Sequence, residues 1–393
     1  MPEYKNPNQG GSGTDSRGLL VMVVVFFVAM IGVRFWAGRN MPAKLAPGAP
    51  VAQTQSATPA ATAAPAAAVT ATAPAAKTAT SAKTVVLPTV KADAESTTVV
   101  ENEDYKITFT NRGGAVTSWI LKKFKTIDGQ PLDMVNHAGS KAAGDPLSLY
   151  TYDADLTKSL ANALYVPSAT GTLQSPATLS FDYSEGNIKV HKTFTFGSDY
   201  VIHADAVVMR DGAPIRALLA WPGGVGSQET TTAYLSGTVD TSTGGKDDHI
   251  SLKKVVGGGT LNGPWDFAGT SDQYFAAIFM PEKPADATLA TFHTELMTEF
   301  SGNSATPIPT NQKYVAAPAD NKPPKGSVIL PIIGAAVGNV SGHTSLRLFV
   351  GPKSMEVLKS VHAQNGQDLG PVLDFGFWGP IAKVLFLGIQ FVH

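Results

Sequence analysis

From about residue 90 onward, short runs of β-branched and aromatic residues alternate with polar ones and are broken by Gly, Asn and Asp. This is the pattern of half-buried strands joined by turns. Tyr105, Ile107 and Phe109 fall on one face of a run that ends in the turn sequence Asn111-Arg112-Gly113-Gly114, and a second run begins at Ala115 and continues to Leu121. Ile188, Val190, Phe194 and Phe196 share a face, with His191, Thr193 and Thr195 opposite. A turn at Gly197-Ser198-Asp199 then leads into a run with Ile202, Ala204, Ala206 and Val208 inward. Similar runs occupy residues 274–280, 288–293 and 345–350. Many short strands and few helical patterns predict an antiparallel sandwich or barrel. Residues 147–167 show no regular period. Residues 351–362 read as a helix, with Pro352 and Ser354 in its first turn and Leu358 and Val361 at i, i+3 spacing.

The pattern changes at both ends of the chain. Residues 18–33 are uncharged and apolar, and Phe35-Trp36-Ala37 extends the run past Arg34. Twenty helical residues cover roughly 30 Å, the thickness of a hydrocarbon core, so 18–37 is expected to be a transmembrane helix. Arg34 can snorkel to the headgroups, and Trp36 suits the interface. A cleaved signal peptide is the alternative, although the run exceeds the usual signal core. Residues 1–17 are too short to form a domain, which places the amino end in the cytoplasm and the bulk of the chain outside, while flanking charge is nearly balanced. At the other end, residues 375–393 are almost wholly apolar around a single charge, Lys383. Ile381, Leu385, Ile389 and Val392 recur at helical spacing with Gly379, Lys383 and Gln390 on another side, which predicts an amphipathic helix at a bilayer surface. The alternative is a C-terminal core helix.

Between these lies a segment without structure-forming residues. No charge occurs between Lys44 and Lys77, and no Leu, Ile, Phe, Tyr or Trp between Ala46 and Val86. Such a stretch cannot bury enough apolar area to offset its ordering entropy, and its recurrent prolines break any poly-Ala helix. Residues 38–94 are therefore expected to be an Ala/Pro/Thr-rich linker, and 95–362 a β domain. The whole chain has 30 basic and 31 acidic residues and a formal charge of −1, with no basic excess to form a nucleic-acid surface. It has no Cys, which removes disulfides, thiolate nucleophiles and cysteine-ligated metal.

Candidate chemistry is sparse. His203 and Asp205 lie two apart on one strand face, with His191 on the polar face of the preceding strand, a set that could ligate zinc but equally describes a solvated sheet surface. Gly257-Gly258-Gly259 precedes no helix, so a phosphate loop is not expected. Asp247-Asp248-His249 reads as a polar loop, and Glu295 and Glu299 could form a carboxylate pair whose geometry nothing fixes. No catalytic, cofactor-binding or metal-ligating residue is assigned, and the sequence makes no case for an enzyme.

Several short stretches nevertheless occur in a telling order over residues 15–393. They are Ser16-Arg17-Gly18-Leu19-Leu20 opening the apolar run, Asn111-Arg112-Gly113-Gly114-Ala115-Val116, Gln273-Tyr274-Phe275-Ala276-Ala277-Ile278 and Leu348-Phe349-Val350-Gly351-Pro352-Lys353. The tail adds Leu373-Asp374-Phe375-Gly376-Phe377-Trp378, Ile381-Ala382-Lys383 and Phe391-Val392-His393. In this order the chain resembles the bacterial branch of the YidC/Oxa/Alb family of membrane protein insertases. The resemblance implies a mainly β chain: a galactose-mutarotase-like super-β-sandwich in the periplasm at 95–362, preceded by one transmembrane helix. Residues 363–393 would be a link and an interfacial amphipathic helix on the outer face of the inner membrane. It also implies a chaperone that accepts hydrophobic segments of nascent membrane proteins, with or without the Sec translocon, and releases them into the lipid bilayer. The ribosome would be engaged only through parts of the family beyond residue 393. In the family, a water-containing groove with an arginine lowers the charge-burial cost of roughly 2.5–3.5 kcal/mol per residue at mid-membrane.

That groove lies in five further spans, so this sequence is expected to be a fragment, or the product of a truncated gene. Arg34 is in the first span and is not a counterpart of the groove arginine. Two rival readings come from other classes: a membrane-anchored periplasmic carbohydrate-binding or mutarotase-like protein, and a tethered scaffold. Fold does not carry function, and both leave the apolar tail unexplained.

Overall fold

The strands that alternation predicts form, and they assemble into three sheets. The computed structural model describes residues 88–126, 129–226, 237–255, 257–298, 314–316 and 329–374. Elements are numbered in chain order. The five-stranded sheet has the order β4 (Pro131–Asp133), β3 (Ala115–Lys125), β2 (Tyr105–Thr110), β1 (Thr97–Glu101), β7 (Gly171–Gln174). The ten-stranded sheet runs β14 (Lys246–Ser251), β13 (Thr238–Thr243), β16 (Phe267–Ser271), β17 (Phe275–Pro281), β21 (His343–Pro352), β10 (Val201–Arg210), β9 (Ile188–Phe196), β8 (Ala177–Glu185), β6 (Val166–Pro167). Its tenth strand, β11 (Ala213–Ile215), pairs with β10. The six-stranded sheet runs β15 (Thr260–Asn262), β18 (Ala287–Thr298), β20 (Ile329–Asn339), β12 (Leu218–Trp221), β5 (Ser148–Tyr150), with β19 (Tyr314–Ala316) beside β18. Among the described strands every pairing is antiparallel except β1 with β7.

One apolar core draws on all three sheets. The period of two places Tyr105, Ile107 and Phe109 of β2, Val190, Phe194 and Phe196 of β9, and Ile202, Ala204, Ala206 and Val208 of β10 in it. Phe109 packs with ring centroids 5.8 Å from Phe181, 5.2 Å from Phe194 and 5.8 Å from Phe196, joining the five- and ten-stranded sheets. Trp119 of β3 lies 5.8 Å from Trp221 of β12, joining the five- and six-stranded sheets.

The irregular stretch 147–167 contains β5, helix α2 (Ala154–Asn162) and β6; helix α1 (His137–Ala143) precedes it. Asp153 caps α2 by accepting the Leu156 N–H, a cap signal that the lack of period obscured.

Near the carboxy end the helix is shorter than its sequence suggests. Pro352 closes β21, opposite Phe275 of β17, instead of opening a helix. Helix α3 (Met355–Ser360) starts one residue after Ser354, whose hydroxyl accepts the Val357 N–H. From there the chain folds back on the sheet. Leu358, Val361, Leu369 and Val372 bury against Phe267, Ala276, Ile278, Met280 and Phe349, the apolar half of the outer face of the ten-stranded sheet. The expected link after residue 362 is thus built into the domain as far as Asp374. Among the described residues no helix is long and apolar enough to cross a membrane; the expected span at 18–37, most of the linker and the expected interfacial helix at 375–393 lie outside the described residues.

Candidate functional site

The three residues that could have ligated zinc share the exposed half of that outer face but do not converge. Pairing of β9 with β10 sets His191 opposite Val207, four residues from His203, which is about 13 Å along a strand. Each is already engaged locally: His191 Nδ1 is 2.7 Å from Asp182 Oδ1 and its Nε2 is 2.9 Å from Thr193 Oγ1. His203 Nδ1 faces Glu282 Oε1 at 3.5 Å, and Asp205 Oδ1 faces His343 Nε2 at 3.8 Å. Among the described residues no group of three or more His, Asp and Glu could hold a metal. Gly257 and Gly258 form a turn leading to β15, a strand. Glu295 is exposed on β18, and Glu299 lies outside the described residues.

Asp247-Asp248-His249 is not a loop. It lies in β14, the edge strand of the ten-stranded sheet, with His249 directly opposite Asp240 of β13. Its polarity is that of a sheet edge, where charged side chains face solvent. Asp240 is only 1% exposed and accepts three hydrogen bonds. His249 Nδ1 is 2.7 Å and Thr238 Oγ1 3.0 Å from its Oδ1, and Ser271 Oγ is 2.5 Å from its Oδ2. Lys353 Nζ donates to Ser271 Oγ at 3.2 Å and to the Asp272 carbonyl at 3.0 Å. Asp240 raises the pKa of half-buried His249 and Asp374 adds to the rise, while burial and Lys353 oppose it. The residue types are those of a nucleophilic triad, yet the wiring is different. Ser271 donates to the aspartate, not to the imidazole, and is itself buried, so nothing activates it as a nucleophile.

The arrangement instead fastens strands and the end of the domain. Gln367 accepts from Ser242 Oγ at 3.0 Å and donates to Asp247 Oδ1 at 2.8 Å, tying the returning segment to the edge strand β14 and its neighbour β13. Gln367 forms with Ser242 and Asp247 a polar clasp beside the apolar contacts of Leu358, Val361, Leu369 and Val372, while Asp240 links β14 to β16 through His249 and Ser271.

A second polar group lies inside the core. Lys192 occupies the inward position between Val190 and Phe194 on β9 and is fully buried. Its Nζ donates to the carbonyls of Gly113 at 3.1 Å, Gly114 at 2.5 Å and Leu147 at 2.6 Å, and sits 5.5 Å from the Phe194 ring. All three carbonyl residues have left-handed backbones. Burial draws the Lys192 pKa down to about 7; the three acceptors oppose that pull, because only the ammonium has three donors. The Asn111-Arg112-Gly113-Gly114 motif therefore has a physical basis. Buried Asn111 accepts the Ser96 N–H at 2.8 Å and donates to the carbonyls of Ala94 and Tyr165 at 3.0 and 3.1 Å. A Cβ on Gly113 would meet the Ala161 carbonyl oxygen at 2.8 Å.

This motif and the strands that carry Asp240, His249 and Ser271 lie within the region that similarity covers. The family profile described as YidC periplasmic domain matches residues 97–318, from the first residue of β1 to just past β19. The chain belongs to the YidC family. Relatives called membrane protein insertase YidC include that of Geobacter metallireducens, 25% identical over 314 residues covering 75% of this chain and 51% of the relative. That of Chlorobaculum tepidum is 27% identical over 320 residues, covering 75% and 48%. The chain spans about half the length of the curated relatives it matches. Among solved structures, it is similar to a putative aldose 1-epimerase from Escherichia coli K12, 11% identical, covering 65% of this chain and 100% of that one, with a TM-score of 0.32. A galactose mutarotase-like protein from Lactobacillus casei is 10% identical, covering 65% and 99%, with a TM-score of 0.36.

Proposed function

We propose that this chain is the amino-terminal part of a membrane protein insertase and chaperone of the bacterial inner membrane. Residues 18–37 anchor it, 38–94 tether it, and the β domain, a galactose-mutarotase-like super-sandwich, stands in the periplasm. The tail at 375–393 lies along the outer membrane surface and leads toward an insertase core, with Lys383 reaching water while Phe377, Trp378, Leu385 and Phe386 embed. Its clients are nascent membrane proteins, received alone or beside the Sec translocon, and any ribosome contact belongs to parts beyond residue 393. The match of the YidC periplasmic domain to residues 97–318 carries this reading. It favours the insertase over the carbohydrate-binding alternative, as does the wiring of Ser271, Asp240 and His249, which suits fastening and not catalysis. No step of the mechanism is covalent: the family's chemistry is a lowered cost of moving polar groups past lipid.

The test is a chimera. The chain is joined in frame after His393 to the membrane core of the Chlorobaculum tepidum insertase and expressed in a bacterium depleted of its own. Restored growth, with restored insertion of a small membrane protein client, is the expected result. A chimera that accumulates in the membrane at normal level yet restores neither would overturn the proposal.

A further inference from the structure

Among the described residues Lys192 is the only buried lysine or arginine, and the proposed function makes no use of it. Its surroundings are built for a cation. In extended backbone successive carbonyls point to opposite sides of the chain. Gly113 (φ 69°) and Gly114 (φ 53°) are both left-handed, and both carbonyls meet one point, Lys192 Nζ. The third carbonyl comes from Leu147, held at φ 62° although a side chain disfavours that region. Among the described residues no backbone N–H donates to any of the three, so the ammonium is what satisfies them. The Phe194 ring, its centroid 5.5 Å from Nζ, turns its face to the charge. No carboxylate pairs with Nζ among the described residues. Neutral oxygens and a ring suit a single positive charge, not a divalent ion, whose sites carry carboxylates. Three oxygens also match the three N–H bonds of a primary ammonium.

We infer that the carbonyls of Gly113, Gly114 and Leu147 form a receptor for a primary ammonium ion, which the chain fills with the end of its own Lys192 side chain. The site lies where the three sheets meet. Gly113 and Gly114 make the turn between β2 and β3 of the five-stranded sheet, Leu147 precedes β5 of the six-stranded sheet, and Lys192 belongs to β9 of the ten-stranded sheet. What is recognised is a charge carrying three donors, and the bulk of the lysine is secondary. A free alkylammonium of the right length therefore belongs in the site once the tethered one is cut back. Lys192→Ala keeps Cβ and removes a fragment with the size and charge of propylammonium. 1-Propanol has nearly the same shape, but it brings a single donor and no charge.

Two measurements on the full chain test it, both by urea unfolding at about pH 6, where the buried amine keeps its proton even at its lowered pKa. In the first, Lys192→Cys supplies the only thiol of the chain. The unfolded variant is alkylated with bromoethylamine, which rebuilds a side chain of lysine's length ending in an ammonium, or with 1-bromopropane, which ends the same length in a methyl. Both are then refolded. The aminoethyl chain is expected to have a folding equilibrium constant within about tenfold of the native one, and the propyl chain one at least about a hundredfold lower, because its buried carbonyls lack a donor. In the second, Lys192→Ala is unfolded in about 50 mM propylammonium chloride and in the same concentration of sodium chloride or 1-propanol, and mass action should raise its midpoint in propylammonium alone. If it does not fold in sodium chloride, it should fold when propylammonium is added. The native chain, whose site is filled, should not respond. Aminoethyl and propyl chains of equal stability would overturn the inference, as would an aminoethyl chain that fails to refold where the native chain refolds. An alanine variant that propylammonium stabilises no more than sodium or propanol does would also overturn it.

Discussion

Lys192→Met is expected to destabilise the β domain by about 3–5 kcal/mol at neutral pH, since it removes the ammonium donor that three buried carbonyls share. Methionine fills much of the same space, so the loss is one of hydrogen bonds more than of volume. Three carbonyls, of Gly113, Gly114 and Leu147, lose a side-chain donor, and each unpaired buried group costs about 1–3 kcal/mol, partly offset by no longer burying a charge. The pH dependence separates this account from simple packing. An unfolded lysine titrates near 10.5, and burial draws the folded value toward about 7. Between the two, the unfolded chain holds a proton that the folded one has lost, so stability rises with pH across that window. The carbonyls, which favour the ammonium, narrow the window from its lower end. Other titrating groups are common to both proteins and cancel in the difference. Urea denaturation of the native chain and the variant should therefore show a stability gap that widens between about pH 7 and about pH 10. A variant within about 1 kcal/mol of the native chain, or a gap that is constant with pH, would contradict this role.

Phe109→Ala should lose about 3–5 kcal/mol, the usual range for emptying a buried aromatic site. Its ring contacts Phe181, Phe194 and Phe196 from the opposite sheet, and sheet backbones on either side cannot close a gap of that size. Set against a domain stability of about 5–15 kcal/mol, the loss should lower the urea midpoint substantially while leaving the slope of the transition unchanged. Tyr274→Ser, at an exposed turn, is the control and should shift stability by no more than about 0.5 kcal/mol. A Phe109→Ala variant as stable as the control would mean that the two sheets do not share this core.

The strands were legible because their inner faces are chemically uniform. Phe109, Phe194 and Ile202 all sit where a period of two puts them. Two polar residues were missed because each breaks the equation of polar with exposed. Lys192 occupies an inward slot of the same alternation, between Val190 and Phe194, and only its position, not its chemistry, marks it as buried. His249 reads as loop because an edge strand carries charge on both faces, and its partner Asp240 is recognisable only once β13 and β14 are in register. The order of the sheets was not legible. β10 pairs with β21, far along the chain, and β1 with β7 in parallel, and local pattern says nothing about partners so distant. Pro352 misled for a related reason: its lack of an N–H suits a strand end as well as a helix start.

The central claim is that this β domain stands outside the cytoplasmic membrane, attached to an inner-membrane insertase. The chain has no cysteine, so a single Tyr274→Cys substitution, at a position 59% exposed in the turn between β16 and β17, gives an unambiguous reporter. The full chain carrying it is expressed in a Gram-negative host, and intact spheroplasts are treated with a membrane-impermeant maleimide. The account expects labelling of Cys-substituted position 274 without breaching the membrane. Labelling that appears only after the spheroplasts are lysed would place the domain in the cytoplasm and contradict it.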